Sequence, residues 1–192
     1  MPCVVQKFGG TSVATLERIC NVADIIARTV KLRHKKPVVV VSAMAGVTNK
    51  FVKFVNEMGV FEGDAEYDQV VSSGELVTAG LVAIALRRVG IAARSFAAWQ
   101  VPIVTDANYG HSVINHVCPT NIMASLEGGA VPVICGFQGI NAENKITTLG
   151  RGGSDLTAVA VASAVAAEQC EIYSDVDGVY TMDPNFFPEA RK

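Results

Sequence analysis

Paired cysteines are the first thing missing from this 192-residue chain. Its five cysteines (Cys3, Cys20, Cys118, Cys135 and Cys170) are scattered, with no Cys-x-x-Cys pair and no metal-ligand spacing. Four of them fall in apolar runs or on helix faces, where cysteine acts as a small hydrophobe. That excludes a disulfide scaffold and a zinc site, and it predicts a reduced, cytoplasmic protein. An excess of one charge is also missing. Sixteen basic residues face eighteen acidic ones, for a net −2, so nothing in the charge predicts a nucleic-acid partner. The one basic run, Lys31 to Lys36 with His34, falls where a helix should end and favours its dipole. No apolar run approaches the ~20 residues of a membrane span, and no signal-peptide pattern is present. Neither a membrane partner nor a metal cluster of protein ligands is expected. Internal repeats and low-complexity linkers are absent as well.

What is present is apolar. Half of the residues are hydrophobic and 18 % are charged, as expected where a parallel sheet is covered on both faces. The length suits one domain, residues 1–192. Val4–Phe8 reads as a short strand, followed by Gly9-Gly10-Thr11-Ser12. A helix comes next, with Leu16, Ile19, Cys20, Ala23, Ile26, Ala27 and Val30 in 3.6-residue period. Val38–Val41 is a buried strand, and Lys50–Met58 a modest helix. The acidic stretch holding Glu62, Asp64 and Glu66 reads as a connection. Leu76–Val89 is a long helix closed by Gly90, and Ala93–Ala97 a strand. Trp99–Val117 reads as less regular strands and turns, with His111 and His116 on the surface or in packing. A helix over Pro119–Leu126 and a buried strand over Val131–Cys135 follow. A hairpin formed by Gly136–Ile140 and Ile146–Thr148 then delivers the chain to Gly150. A helix from about Asp155 to Ala167 and a strand over Cys170–Ser174 complete the order. The prediction is an α/β fold, a three-layer α/β/α sandwich on a mainly parallel sheet.

Two glycine-rich strand-to-helix turns carry the chemistry. In Gly150-Arg151-Gly152-Gly153-Ser154-Asp155, three glycines in four positions let backbone N–H groups approach a ligand. Ser154 or Asp155 would cap the following helix, whose N-terminus favours an anion. Arg151 adds a planar fork for a carboxylate or phosphate. The second turn, Gly9-Gly10-Thr11-Ser12, has Lys7 at its mouth. It is neither a P-loop, since no Gly-Lys-Ser/Thr closes it, nor a dinucleotide fingerprint. Ser42 and Thr48 follow the next strand and should share its carboxyl-end rim, where open parallel sheets bind ligands. Glu75 stands in the first turn of a helix, where the dipole favours a carboxylate. The acidic turn holding Asp175, Asp177 and Asp183 resembles a site near Mg²⁺ or a nucleotide ribose. An ordinary strand–loop–helix–strand unit with solvated aspartates accounts for the same residues without a ligand.

Lys7-Phe8-Gly9-Gly10-Thr11-Ser12-Val13, Gly150-Arg151-Gly152-Gly153-Ser154-Asp155 and Ser174-Asp175-Val176-Asp177-Gly178-Val179-Tyr180-Thr181 closely resemble the signatures of the aspartate kinases, within the amino-acid kinase superfamily. Ser42…Thr48-Asn49 and Ser73-Gly74-Glu75 fall where that family has them. The resemblance implies the carbamate-kinase-like fold and phosphoryl transfer from ATP with Mg²⁺ to the β-carboxylate of L-aspartate. That is the first step towards lysine, threonine and methionine. It implies Lys7 and Asp155 as catalytic, Lys7 on the transferring phosphoryl and Asp155 holding it. Thr48, Glu75 and Arg151, with Ser42 and Ser154, would bind aspartate. Lys7, Gly9, Gly10, Thr11, Ser174, Asp175 and Tyr180 would bind the nucleotide. Two departures accompany it. Asn185 stands where the family has arginine, and the chain stops before the rest of the nucleotide lobe and the ACT regulatory domains. Reduced activity of this chain alone is therefore expected. So is a homo-oligomer, since an unpaired sheet edge invites self-association. The readings left open are a related kinase of glutamate, N-acetylglutamate or a nucleoside monophosphate, and a ligand-binding fragment without turnover.

Overall fold

The computed structural model describes residues 2–175 and Gly178. Its strands are β1 (Cys3–Phe8), β2 (Lys36–Val41), β3 (Ala93–Phe96), β4 (Ile103–Thr105), β5 (Ile114–Val117), β6 (Val131–Cys135), β7 (Gln138–Ile140), β8 (Ile146–Thr148) and β9 (Gln169–Tyr173). Its helices are α1 (Leu16–Lys31), α2 (Val47–Glu57), α3 (Ala65–Val71), α4 (Ser73–Arg88), α5 (Thr120–Glu127) and α6 (Gly153–Ala164). Five strands form one sheet in the order β3-β6-β2-β1-β9, and every pair in it is parallel.

Side-chain alternation sorts the central strands between two cores. Phe8, Val39 and Val41 face α1 and α4, among Ile19, Val22, Ile26, Val82 and Leu86. Val5, Val38 and Val40 face the opposite side, among Ile122, Leu126, Ala158, Val161 and Val165 of α5 and α6. The sandwich therefore has the three layers expected. Lys7 shares its parity with Val5, which turns its side chain to the α6 face.

Three features depart from the sequence reading. The irregular stretch and the hairpin build a second four-stranded sheet, β5-β4-β7-β8, in which only β4–β7 is parallel. The acidic connection contains α3, whose N-cap Asp64 accepts from Glu66 N at 2.7 Å. The residues that suggested a solvated loop are the ones that open this helix. Third, α6 starts two residues before the Asp155 of the sequence reading and ends at Ala164, and its Leu156 and Val159 are more than half exposed. Together α3 and α4 form a run, Ala65–Arg88, long and apolar enough by composition to cross a membrane. However, 56 % of its most apolar window is buried, as in a core helix.

Candidate active site

The carboxyl ends of β1, β2, β6 and β8 open onto a cleft of about 330 Å³. One wall is Lys7 and the α6 entrance. Lys7 Nζ lies 2.6 Å from Asp155 Oδ1, and the lysine is almost fully covered while the aspartate is half exposed. Strand parity places Lys7 there, and Asp155 meets it from the first turn of α6. The opposite wall is the first turn of α4. Glu75 is only 2 % exposed. Its Oε1 accepts from Ala43 N at 3.0 Å, and its Oε2 is buried with no hydrogen-bond partner among the described residues. Burial pushes the Glu75 carboxyl up to about 8, against the smaller opposing pull of the Ala43 N–H. A buried carboxyl with one oxygen unused is an acceptor for a cation or a donor that the described residues do not supply.

Close backbone packing holds the two walls together. Ser42 N donates to Phe8 O and Ala45 N to Gly10 O, zipping the β1 and β2 turns together. A Cβ on Gly10 would come within 3.0 Å of Ala43 O, and one on Gly74 within 2.8 Å of Ala43 Cβ. Two helices, α2 and α6, begin at the cleft at left-handed Gly46 and Gly152, and neither has a side-chain cap. Sequence reasoning assigned the α6 cap to Ser154 or Asp155. Both instead lie inside the first turn, because the left-handed glycine starts the helix two residues earlier. Uncapped N-termini leave backbone N–H groups and the positive ends of dipoles to attract anions.

Lys7, Gly10, Ser42, Thr48, Glu75, Ser154 and Asp155 all line this cleft. Arg151 is exposed and outside the lining. Thr11 is exposed too, its carbonyl accepting from Arg18 Nη1 at 2.8 Å. The Gly9 N–H donates to Tyr173 O at 3.1 Å, so in this arrangement it is used within the sheet. Ser174 and Asp175 lie just past β9, where the Ser174 hydroxyl donates to Asp175 Oδ1 at 3.3 Å. Tyr180, Asp177, Asp183 and Asn185 lie outside the described residues. Among the described residues, no cluster of three His, Cys, Asp or Glu side chains could hold a metal ion.

The sequence reading missed Phe137, which lines the cleft with a left-handed φ of +68°. A bulky side chain rarely adopts that region. Phe137 N donates to Thr157 Oγ1 of α6 at 3.1 Å, and a Cβ on Gly153 would come 2.8 Å from the Phe137 ring. Its signal was positional, since Gly136-Phe137 sits at the carboxyl end of the buried β6. Met44, Ala45 and Gly46 were available in the same way.

The chain's likeness to known proteins agrees with this geometry. It is 47 % identical to the aspartokinases of Rickettsia conorii, over 195 residues, and of Pseudomonas aeruginosa, over 192. All of this chain is covered, with 48 % and 46 % of those proteins, so it spans about half their length. Among solved structures it resembles the aspartate kinase of Synechocystis, with TM-score 0.77 and 42 % identity over 98 % of this chain and 31 % of that one. It also resembles E. coli aspartokinase III in complex with aspartate and ADP, with TM-score 0.82 and 27 % identity over 99 % of this chain and 53 % of that one. Residues 2–192 match the sequence pattern of the amino acid kinases, and with the parallel sheet and its glycine-lined cleft this makes the chain a member of the amino acid kinase family.

Proposed function

We propose that this chain forms the catalytic core of an aspartate kinase, passing the γ-phosphoryl of ATP to the β-carboxylate of L-aspartate to give 4-phospho-L-aspartate. The observation that carries this reading is the buried, unpartnered Glu75 Oε2 facing a cleft otherwise built to attract anions. One cationic and two anionic groups on a small molecule suit that arrangement, and aspartate has that pattern. The ligands named for the E. coli relative, aspartate and ADP, support it.

In this reading Glu75 takes the α-ammonium, and Arg151 reaches over the mouth to the α-carboxylate. The hydroxyls of Thr48, Ser42 and Ser154 orient the side chain. The β-carboxylate is already ionised, so its oxygen needs no base as it forms the new O–P bond while the bond to ADP breaks. What the site must supply is alignment and positive potential. Lys7, fixed by Asp155, faces the charge on the transferring phosphoryl, and the Gly10 turn and the uncapped α6 entrance add to its field. Gly9, Thr11, Ser174, Asp175 and Tyr180 belong to the nucleotide side. Mg²⁺ would arrive on the nucleotide phosphates and neutralise their charge, since this cation keeps most of its waters. The free cysteines fit a cytoplasmic setting.

Thermal unfolding tests the reading. L-aspartate with Mg·ADP should raise the midpoint, while L-glutamate and UMP leave it in place. The gain is ~2.7 kcal/mol at a hundredfold excess over the dissociation constant. Trapping the acyl phosphate with hydroxylamine reports transfer itself. A shift with UMP alone would refute the amino-acid pocket. Stabilisation by aspartate without hydroxamate would favour binding without turnover.

A further inference from the structure

Asp68 is a charged residue that no ligand would touch. It sits on α3, is fully buried, and lies outside the lining of the cleft. Its carboxylate accepts three hydrogen bonds. Oδ2 takes Thr148 N at 2.7 Å and Gly110 N at 3.0 Å, and Oδ1 takes the Thr148 hydroxyl at 2.9 Å. Bonds to an ionised acceptor are the stronger kind, and a carboxylate this deep needs them.

All three donors come from the support beneath Gly150. Thr148 closes β8 two residues before that glycine. Gly150 has φ +71°, and a Cβ on it would stand 2.7 Å from His111 Nδ1 and 3.1 Å from Gly110 O. The turn holding Gly110 and His111 is therefore the surface on which the glycine loop rests. That turn is fastened to β8 by Asp68 and by Ser112 N donating to Thr148 O at 2.9 Å.

The other end of the link leads to Glu75. Helix α3 ends at Ser72, which opens α4, and Glu75 follows in the first turn. Gln138 Nε2 donates to Ser72 O at 2.7 Å, pinning that junction to β7. Seven residues, about two helical turns, separate Asp68 from Glu75. One buried carboxylate thus ties the wall that carries Glu75 to the wall that carries Gly150, Gly152 and Gly153.

We infer that Asp68 is a positioning residue, which sets the distance between the glycine loop and Glu75 and thereby the affinity for the amino-acid substrate. The affinity part rests on the aspartate reading above; the loop part does not. The test uses Asp68→Ala, Asp68→Asn and Thr148→Val in the full chain. An asparagine oxygen still accepts the two N–H groups, and its amide can donate to the Thr148 hydroxyl, so this variant should preserve the link.

Two measurements apply to each: amide hydrogen exchange without ligand, and calorimetric titration with L-aspartate. With Asp68→Ala, the amides of Leu149 and Gly153, which donate to Phe137 O and Gly150 O, should exchange about tenfold faster while those of β2 keep their rates. Aspartate affinity should fall about tenfold. Asp68→Asn should return both towards the parent values. Equal acceleration of loop and β2 amides, or none at either, overturns the proposal. If Asp68→Ala does not fold, Thr148→Val carries the same comparison, because it removes one of the three bonds and leaves both N–H donors. If the parent chain ignores aspartate, the substrate reading falls, and the exchange comparison still decides the role of Asp68.

Discussion

The two walls of the cleft treat charge in opposite ways. On one side, Lys7 and Asp155 neutralise each other across 2.6 Å, with the aspartate half in solvent. On the other, Glu75 is buried with one oxygen bonded to a backbone N–H and the other without a partner among the described residues. The first wall is complete before anything binds. The second keeps its proton at neutral pH, since burial holds the Glu75 carboxyl up at about 8. A ready-made ion pair costs no reorganisation when negative charge develops beside it. A desolvated carboxyl gains most from a ligand that brings a positive charge, which is a device for selecting one. Catalysis and choice of substrate are thus expected to separate between the walls.

The largest test of that separation is Lys7→Ala. Turnover should fall by on the order of 10²–10³ or more, with the dissociation constant of L-aspartate changed only slightly. A comparable loss of affinity would erase the distinction. Glu75→Gln should do the reverse, weakening aspartate binding by about 10²-fold through loss of a buried charged partner. Calorimetry in buffers of different ionisation enthalpy should show a proton released when aspartate binds the parent chain at pH 7, and none for this variant.

Stability against pH sharpens the contrast. The folded Glu75 carboxyl sits at about 8, above its ordinary 4.5, so the native state holds that proton more tightly than the unfolded chain. Its contribution is full below about 4.5 and drains away as pH rises through 8. Between pH 6 and pH 8 the loss should be about 2 kcal/mol, and Glu75→Gln should flatten the urea midpoints across that window. Glu171 gives the opposite sign, because the Arg33 guanidinium, then Gln6 and Tyr173, hold its carboxyl down at about 2. That stability is present above about 4.5 and is lost as pH falls towards 2. Arg33→Ala should cost little at neutral pH, since the arginine is exposed, and should appear as an acid limb moved to higher pH. An unmoved acid limb would mean that Gln6 and Tyr173 suffice.

Much of the fold was legible because burial on both faces leaves its mark in the chain. Val38–Val41 and Val131–Cys135 are apolar without alternation, and α1 keeps its period because only one face is covered. The glycine turns were legible as anion loops because few other sequences allow such backbone approach. Helix α3 was not, since Asp64 and Glu66 at a helix start have the composition of a solvated loop. The second sheet was hidden by strands of three or four residues, too short for a period to show. Asp68 had no signal at all. Its partners are backbone N–H groups of Gly110 and Thr148, forty-two and eighty residues away, and no spacing encodes such a meeting. The inward turn of Glu75 was equally hidden, because a first-turn carboxylate looks the same whether it faces water or a cleft.

The parallel sheet also orders events in time. β1 pairs with β2 on one side and with β9 on the other, and Lys7 ↔ Ile172 lies in the second of these registers. During synthesis β1 therefore waits for about 165 more residues before its β9-side edge is covered. At ~5–20 residues per second that is roughly 8–33 s. Asp155, on the helix leading into β9, emerges only near the end of that interval. During synthesis the lysine at the centre of the cleft is thus an unpaired cation on a strand whose β9-side edge stays open, because β2 covers only the opposite edge.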